Sequence, residues 1–451
     1  MVGPDYRRPS VDTPERWRFE EAGAQDVVDT VWWKQFGDPV LDGLVDTALK
    51  ENKDVRIAAA RVEEFMGRYA IVRSGQYPQV GAGASGVRTK ETTYTNPAWT
   101  PNTPNPYNTF EAILSASWEI DIWGRLRRAT ESARADLLAT EEGRRGVILT
   151  VVTSVAIAYI DLLDLDKQLD IARRTAKSRG HAFRLFKLRF DRGFTSELEL
   201  RQAESEYEAA LATVPLLQKL IGQQENALSI LIGRNPGPIP RGKTLDLLIL
   251  PAIPAGLPSK LLERRPDIRQ AEQDLIAANA QIGVAKALYF PTISLTGLYG
   301  GMSTGLSTLF SGPGRTWSYG LGLTAPIFTA GAIAGSVKAA EAVQKETLLR
   351  YRQVIQQAFR EVEDGLIDQD KSREQLRVQG QQVEALQGYS RLAGLRYDNG
   401  YTSYIEVLDA ERSLFNAELD YARTQSVLFH ALVNLYKSMG GGWVLEAEKA
   451  T

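Results

Sequence analysis

Little in this chain can carry covalent or acid–base chemistry. Its 451 residues contain no cysteine and two histidines, His181 and His430. That excludes disulfide frameworks, cysteine-based zinc sites, iron–sulfur ligation and thiol catalysis, and leaves little for histidine-based proton transfer. His430 lies among Leu428, Phe429 and Leu432 and reads as a packed helix residue, whereas His181 reads as surface. Carboxylates remain. Glu361 and Glu363 form the kind of pair that serves glycoside hydrolysis, but they fall in a helical pattern with no pocket-building α/β alternation around them. Glu111, Glu119 and Asp121 share one face of an alternating segment, where they either line a polar interior or bond to neighbouring strands at a rim. The chain reads as a non-enzyme without metal or cofactor, so its function must lie in the elements that place these side chains.

Lys+Arg number 53 and Asp+Glu 55, a formal net charge of -2, which lacks the basic footprint of a nucleic-acid binder. With 43% hydrophobic and 24% charged residues, the chain suits a buried core rather than disorder. Its length allows about two to four domains, or one elongated unit. The nearest approach to a membrane helix is the uncharged run Val147 to Ile160, shorter than the roughly 18 residues required, so it predicts a buried helix. Met1-Val-Gly-Pro-Asp-Tyr6 has neither the apolar core nor the cleavage site of a signal peptide. The expectation is a cytoplasmic protein or a mature exported form.

The chain is written twice. Leu188-Arg-Phe-Asp-Arg-Gly-Phe-Thr-Ser196 recurs 207 residues later as Leu395-Arg-Tyr-Asp-Asn-Gly-Tyr-Thr-Ser403, and the offset persists at Leu114/Leu321, Gly124/Gly331 and Gly233/Gly440. Further upstream the offset is 213, as in Asp54-Val-Arg56 and Asp267-Ile-Arg269. The reading is a tandem duplication over 40–233 and 257–440, preceded by a proline-bearing extended arm, 1–39. An irregular connector, 234–256, carries Pro236, Pro238, Pro240, Pro251 and Pro254, and a tail covers 441–451. Each half predicts the order helix, strand, loop, strand, long helix, turn, helix. Leu348, Tyr351, Ile355, Ala358 and Val362 follow the alternating spacing of a coiled-coil seam. The proline-free stretches Ser336–Tyr397 and Arg125–Phe190 predict continuous helices about 93 and 99 Å long, hence a rod.

Between the helices the period falls from 3.6 to 2. Phe110 to Ile122 alternates Phe110, Ala112, Leu114, Ala116, Trp118 and Ile120 against polar neighbours, and Trp317 to Ile327 does the same with Trp317, Tyr319, Leu321 and Leu323. Residues 291–300 and Gln79 to Thr89 alternate more weakly. A half-buried sheet in a soluble protein shows the same alternation. Two features favour lipid: aromatics crowd the strand ends, as at Tyr77, Trp118, Trp123 and Phe290, and long loops at 90–109 and 301–316 lie opposite the ends that run into helices. Four strands of about ten residues have the length of membrane strands but cannot close a barrel. An open edge in lipid leaves backbone groups unsatisfied, so a membrane sheet of this kind requires oligomerisation.

These residues resemble the outer-membrane factor (TolC-like) family, in its drug-efflux lipoprotein branch. The marks are Val2-Gly-Pro-Asp-Tyr6 with Arg8-Pro9, Trp32-Trp33 with Phe36-Gly-Asp-Pro39, Leu261-Leu-Glu-Arg-Arg-Pro-Asp-Ile268, and the two Arg-aromatic-Asp-X-Gly-aromatic-Thr-Ser turns. The resemblance spans essentially the whole chain. It implies a homotrimer whose four strands per chain form a twelve-stranded β-barrel in outer-membrane lipid, continued by a long α-helical coiled-coil barrel in the periplasm of a Gram-negative bacterium. It further implies a periplasmic adaptor (membrane-fusion) protein and, through it, an inner-membrane efflux pump. The function implied is a passive exit duct for drugs or other small molecules, closed at a periplasmic constriction and opened on docking. The alternatives are a duct for type I protein secretion or metal-ion efflux and, more remotely, a soluble coiled-coil scaffold. Family lipoproteins carry an acylated cysteine immediately before Val-Gly-Pro-Asp-Tyr, where this sequence has Met1. An N-terminal lipid is expected in the native form, with Met1 standing in place of that cysteine.

The resemblance also implies residue roles. Gly193, Thr195, Ser196, Gly400, Thr402 and Ser403, flanked by Arg189 and Arg396, match the adaptor-contacting tip, and a glycine between two long helices suits a reversing chain. Tyr397, Ile405, Glu406 and Asp409, with Glu199 from the first half, match the closed constriction; Gln202 stands where the first half would repeat Asp409. Ile405 and Asp409 are four apart on one helical face. Threefold symmetry would make each carboxylate a ring that attracts cations, the alternative being a solvated helix face. Glu111, Glu119 and Asp121 would line the barrel lumen.

Overall fold

The structure, a computed structural model, describes residues 1–19, 31–92, 104–251 and 258–440. The expected tail 441–451 lies outside the described residues, as do parts of the arm (20–30), of the first strand loop (93–103) and of the connector (252–257). The elements in chain order are α1 (Pro39–Glu51), α2 (Lys53–Ser74), β1 (Gln79–Thr89), β2 (Tyr107–Ile120), α3 (Arg125–Asp191), α4 (Glu197–Leu231), α5 (Leu261–Arg264), α6 (Pro266–Ala287), β3 (Thr292–Ser303), β4 (Arg315–Thr324), α7 (Ala332–Asp398) and α8 (Tyr404–Ser438). Elements recur with equal lengths: α2 and α6 have 22 residues each, α3 and α7 67 each, and α4 and α8 35 each. A continuous 67-residue helix is about 100 Å long. Left-handed glycines stand at matching places, Gly124 and Gly331 immediately before α3 and α7, Gly193 and Gly400 after those helices, and Gly233 and Gly440 after α4 and α8.

The chain folds as two compact units, one built from Met1–Ser10, Arg61–Glu141 and Gln270–Tyr351, the other from Val11–Ala60, Glu142–Arg269 and Arg352–Thr451. The first unit holds a four-stranded antiparallel sheet in the order β1-β2-β3-β4. Its register places Ala82, Leu114, Tyr299 and Trp317 in one row across all four strands, and Val80, Ala116, Gly297 and Tyr319 in another. Directly paired residues share a face, so one face is apolar from edge to edge, and it is exposed at Val80, Leu114, Tyr299, Trp317, Tyr319 and Leu321. The opposite face carries Ser85, Glu111, Ser115, Ser117, Thr296 and Ser318.

Two strands end earlier than their alternation predicts. β2 stops at Ile120 rather than Ile122, because Asp121 accepts from the Arg127 N–H at 2.9 Å in the first turn of α3; a free N–H at a helix start favours a carboxylate over continued pairing. β4 stops at Thr324 rather than Ile327, since Pro326 has no N–H to offer a ladder. Residues 1–10 of the N-terminal arm dock within the same unit. The buried Arg128 guanidinium donates to the Val2 carbonyl at 3.3 Å and to Asp5 at 2.6 Å, and the Tyr6 hydroxyl donates to Glu272 at 3.1 Å. Arg128, Asn279 and Glu272 thus hold the Val-Gly-Pro-Asp-Tyr motif between them.

The second unit buries the run Val147–Ile160 of α3 against Trp32, Trp33, Phe36, Phe429 and Tyr436. Trp32 stacks on Tyr436 with centroids 5.5 Å apart. Asp38 caps α1 through the Val40 N–H (2.9 Å) and also accepts from the Tyr159 hydroxyl (2.8 Å) and the Lys243 N–H (2.9 Å). Three donors satisfy a fully buried carboxylate, which would otherwise be costly. Arg265 donates to the Ser438 carbonyl at 3.0 Å and pairs with Asp267 and Glu361, each at 2.7 Å. Glu361 is therefore a structural partner of the Arg-Pro-Asp motif. His430 lies 3.1 Å from Asp161 on a packed helix, and His181 is exposed beside Arg184.

Candidate functional site

The motif residues converge at the ends of the two long helical hairpins, within the second unit. At the α3–α4 turn, Gly193 has φ +73° and the Phe194 N–H returns to the Arg189 carbonyl at 2.8 Å. At the α7–α8 turn, Gly400 has φ +75° and the Tyr401 N–H returns to the Arg396 carbonyl at 2.9 Å. Both are left-handed helix ends, a backbone geometry that glycine adopts without penalty. The two following helices begin with Ser-X-X-Glu. Ser196 and Glu199 form a reciprocal capping box on α4, and the Thr195 hydroxyl also donates to Glu199. That hydroxyl, with help from the Ser196 N–H, holds the Glu199 carboxyl below its ordinary range. In the second turn Thr402 donates to Glu406, Arg396 lies 3.6 Å from the same carboxylate, and Ser403 makes no side-chain cap.

Tyr397 and Tyr404 pack with Phe186, Leu200, Val407 and Leu408 in a small apolar core that joins the hairpins. The Phe186 and Tyr404 rings lie 4.0 Å apart. Arg189 donates to the Tyr397 hydroxyl at 3.2 Å. Burial raises the pKa of Tyr397, against the opposing pull of Arg189. With Tyr404, Val407 and Leu408 turned inward, Ile405 and Asp409 lie on the exposed face of α8, where Arg412 meets Asp409 at 2.8 Å.

The structure thus gathers all of the expected tip and constriction residues at the turns, but divides their work. Glu199 is tied back as a cap partner and Glu406 is held by Thr402 and Arg396, whereas Ile405 and Asp409 face outward. Glu111, Glu119 and Asp121 are not gathered. Glu111 pairs across the sheet with Ser85 and Met302, Glu119 is ion-paired to Arg125 at 2.7 Å, and Asp121 lies beyond the strand.

Two groups of residues were not singled out by sequence. Phe194 and Tyr401, the aromatics after the two glycines, are 80% and 76% exposed, and Leu198 beside them is exposed as well; large apolar groups so displayed mark a contact surface. Their signal is the Gly-aromatic-Thr-Ser repeat itself. Deeper in the hairpins, the buried Arg179 pairs with Glu206 at 2.7 Å and sits over the Phe415 ring. Burial raises the pKa of the nearby Glu411, with Arg179 opposing and Glu206 reinforcing the shift.

This geometry offers no nucleophile–base pair, only turns, caps and an exposed face. The model of the family described as outer membrane efflux protein matches the chain twice, over residues 44–234 and 257–441. The solvent efflux pump outer membrane protein SrpC of Pseudomonas putida is 36% identical over 98% of this chain and 95% of its own length. The cation efflux system protein CusC of Escherichia coli is 34% identical over 98% and 95%. Among solved structures, the outer-membrane channel OprN aligns with a TM-score of 0.89 at 30% identity over 98% of this chain and 99% of its own, and the open-state MtrE channel of Neisseria gonorrhoeae with 0.88 at 31% over 98% of each. The chain belongs to the outer membrane efflux protein (TolC-like) family, and it is an outer-membrane transport channel, not an enzyme, serving as the exit duct of an efflux system.

Proposed function

We propose that three copies of this chain assemble so that their four-stranded sheets close one twelve-stranded barrel in outer-membrane lipid, with the long helices forming a periplasmic helical barrel. The observation that carries this reading is the sheet itself: an edge-to-edge exposed apolar face, with β1 and β4 unpaired on their outer sides among the described residues. Lipid leaves no other way to satisfy such edges. The chain on this reading is a tandem duplication, with an N-terminal arm (1–39), repeats at 40–233 and 257–440, a connector (234–256) and a tail (441–451). Equal helix lengths in the two halves support it.

The tip formed by Arg189, Gly193, Thr195, Ser196, Arg396, Gly400, Thr402 and Ser403 meets a periplasmic adaptor, which links the duct to an inner-membrane pump. Tyr397, Ile405, Glu406, Asp409 and Glu199 form a resting constriction that the adaptor opens. The Arg189–Tyr397 bond supports a closed arrangement because it ties the two hairpins together. Glu111, Glu119 and Asp121 edge the barrel lumen. The cargo is small organic molecules, as the name of the solvent-efflux relative suggests; the similarity to CusC favours metal cations as the second reading. The test is single-channel conductance of purified protein in a planar bilayer under a salt gradient. Small cation-selective currents, enlarged by Asp409→Asn, are expected. A soluble trimer that never inserts would overturn the reading.

A further inference from the structure

The exposed apolar face of the sheet is not flat. Gly301 packs beneath the loop between β3 and β4, where an added Cβ would meet the Leu309 carbonyl at 2.2 Å. The loop therefore folds over this face. Beneath it lies a hollow of about 640 Å³ floored by Ala82, Ala84, Ala112 and Gly301 and roofed by Leu309 and Phe310. Along the strands, a second hollow of about 470 Å³ is floored by Ala116 and Gly297 and walled by Tyr299, Trp317 and Tyr319. Leu114 and Tyr299 line both hollows, and in the row they share with Ala82 and Trp317 the smallest side chain is Ala82, on the floor of the first. From Ala112 to Ala116 the trough runs about 13 Å along β2.

Charge is placed at one end of it. Arg315 borders the first hollow, and Arg88 of β1 lies on the same face by register, at the strand ends far from the helices. Both are exposed. No carboxylate shares this face within β1–β4, since Glu111 and Glu119 point to the other side. A trough lined with small residues, apolar along its length and cationic at its outer end, complements an acyl chain joined to a phosphorylated head.

We propose that this trough is a binding site for a phosphorylated, multiply acylated lipid of the outer leaflet, with an acyl chain lying over Ala82 and Gly301, one phosphate met by Arg315 at the first hollow and a second met by Arg88 on the opposite edge strand. The site rests on the lipid-facing reading of the sheet. Phe310, 81% exposed on the loop, then closes over the chain from the membrane side.

The test is native mass spectrometry of the delipidated full chain in detergent, titrated with lipid A, with lipid A stripped of its phosphates, and with phosphatidylethanolamine. Flotation of each protein with phospholipid vesicles is scored first. Lipid A is expected to bind most tightly. Removing its phosphates and replacing both arginines (Arg88→Ala with Arg315→Ala) should each weaken it about 25-fold, at about fivefold per arginine. Ala82→Phe should abolish the preference by filling the floor of the first hollow. Equal binding of lipid A with and without phosphates by the wild-type chain overturns the site, as does undiminished binding by the Ala82→Phe variant. Protein that floats with vesicles yet shows no lipid preference defeats this site alone; protein that does not float defeats the membrane reading as well.

Discussion

Arg189 in the last turn of α3 donates to the hydroxyl of Tyr397 in the last turn of α7, at 3.2 Å. The two matching turns do not share this bond. The first-half counterpart of Tyr397 is Phe190, which has no hydroxyl, and the counterpart of Arg189 is Arg396, which lies 3.6 Å from Glu406. Two near-identical motifs therefore make different bonds, and only one of them crosses between hairpins. Tyr397→Phe should remove about 1 kcal/mol from the proposed closed arrangement, about a fivefold shift in open population. Single-channel recording reads it as raised open probability with unchanged ion selectivity.

Asp409 faces outward on α8 while Glu406 is held by Thr402. Asp409→Asn should lower the preference for cations more than Glu406→Gln does, measured as the reversal potential in a salt gradient. Glu406→Gln should instead act mainly on stability, by about 1 kcal/mol through the weakened bond from Thr402. Equal reversal potentials for wild type and the Asp409 variant would remove Asp409 from the conduction path.

Gly400 has φ +75° and open space around the missing side chain. Gly400→Ala is therefore disfavoured by backbone geometry alone, at about 1–2 kcal/mol. The expected result is a lower melting temperature together with weaker capture of the purified adaptor. Full adaptor binding by a Gly193→Ala, Gly400→Ala double variant would take the turns out of the docking surface.

Glu411 carries a pKa raised above its ordinary 4.5 by burial. For an acid shifted upward, the folded state holds its proton where the unfolded state has lost it, so stability falls as pH rises through that window. Glu411→Gln escapes the loss. Denaturation midpoints of the two proteins should coincide below about pH 4 and diverge at pH 7 in favour of the variant.

Tyr159 donates to Asp38 at 2.8 Å and accepts from the Gly242 N–H at 3.0 Å. Tyr159→Phe leaves a buried carboxylate short of one donor and a backbone N–H short of its acceptor. A loss of about 1–3 kcal/mol is expected in thermal or chemical unfolding.

Much of this was legible in the residues because single periods governed it. The run Val147–Ile160 is apolar on nearly every side and lies in the core. The alternation around Trp118 and Trp317 set the faces of β2 and β4, and pairing then aligned the two faces without conflict. Asp121 was misread as a strand residue because the helix start that captures it shows only in three dimensions. Glu199 carried its capping signature openly in Ser-X-X-Glu, beside its resemblance-based role. Arg179 gave no signal: its partner Glu206 and neighbour Glu411 come from two other helices, and its counterpart in the second half is Leu386.

In the proposed barrel, the outer sides of β1 and β4, unpaired among the described residues, have a genetic consequence. Each copy would offer its neighbours two ladders of backbone groups and could satisfy neither alone, so insertion and assembly would become a single event. A variant that folds its helices but spoils one edge, for instance by a proline within β4, does not simply drop out of the population. It still joins through its intact edge and leaves the ring open, disabling the normal copies beside it. Such alleles should be dominant when expressed with the wild type, whereas alleles that unfold the whole chain should be recessive.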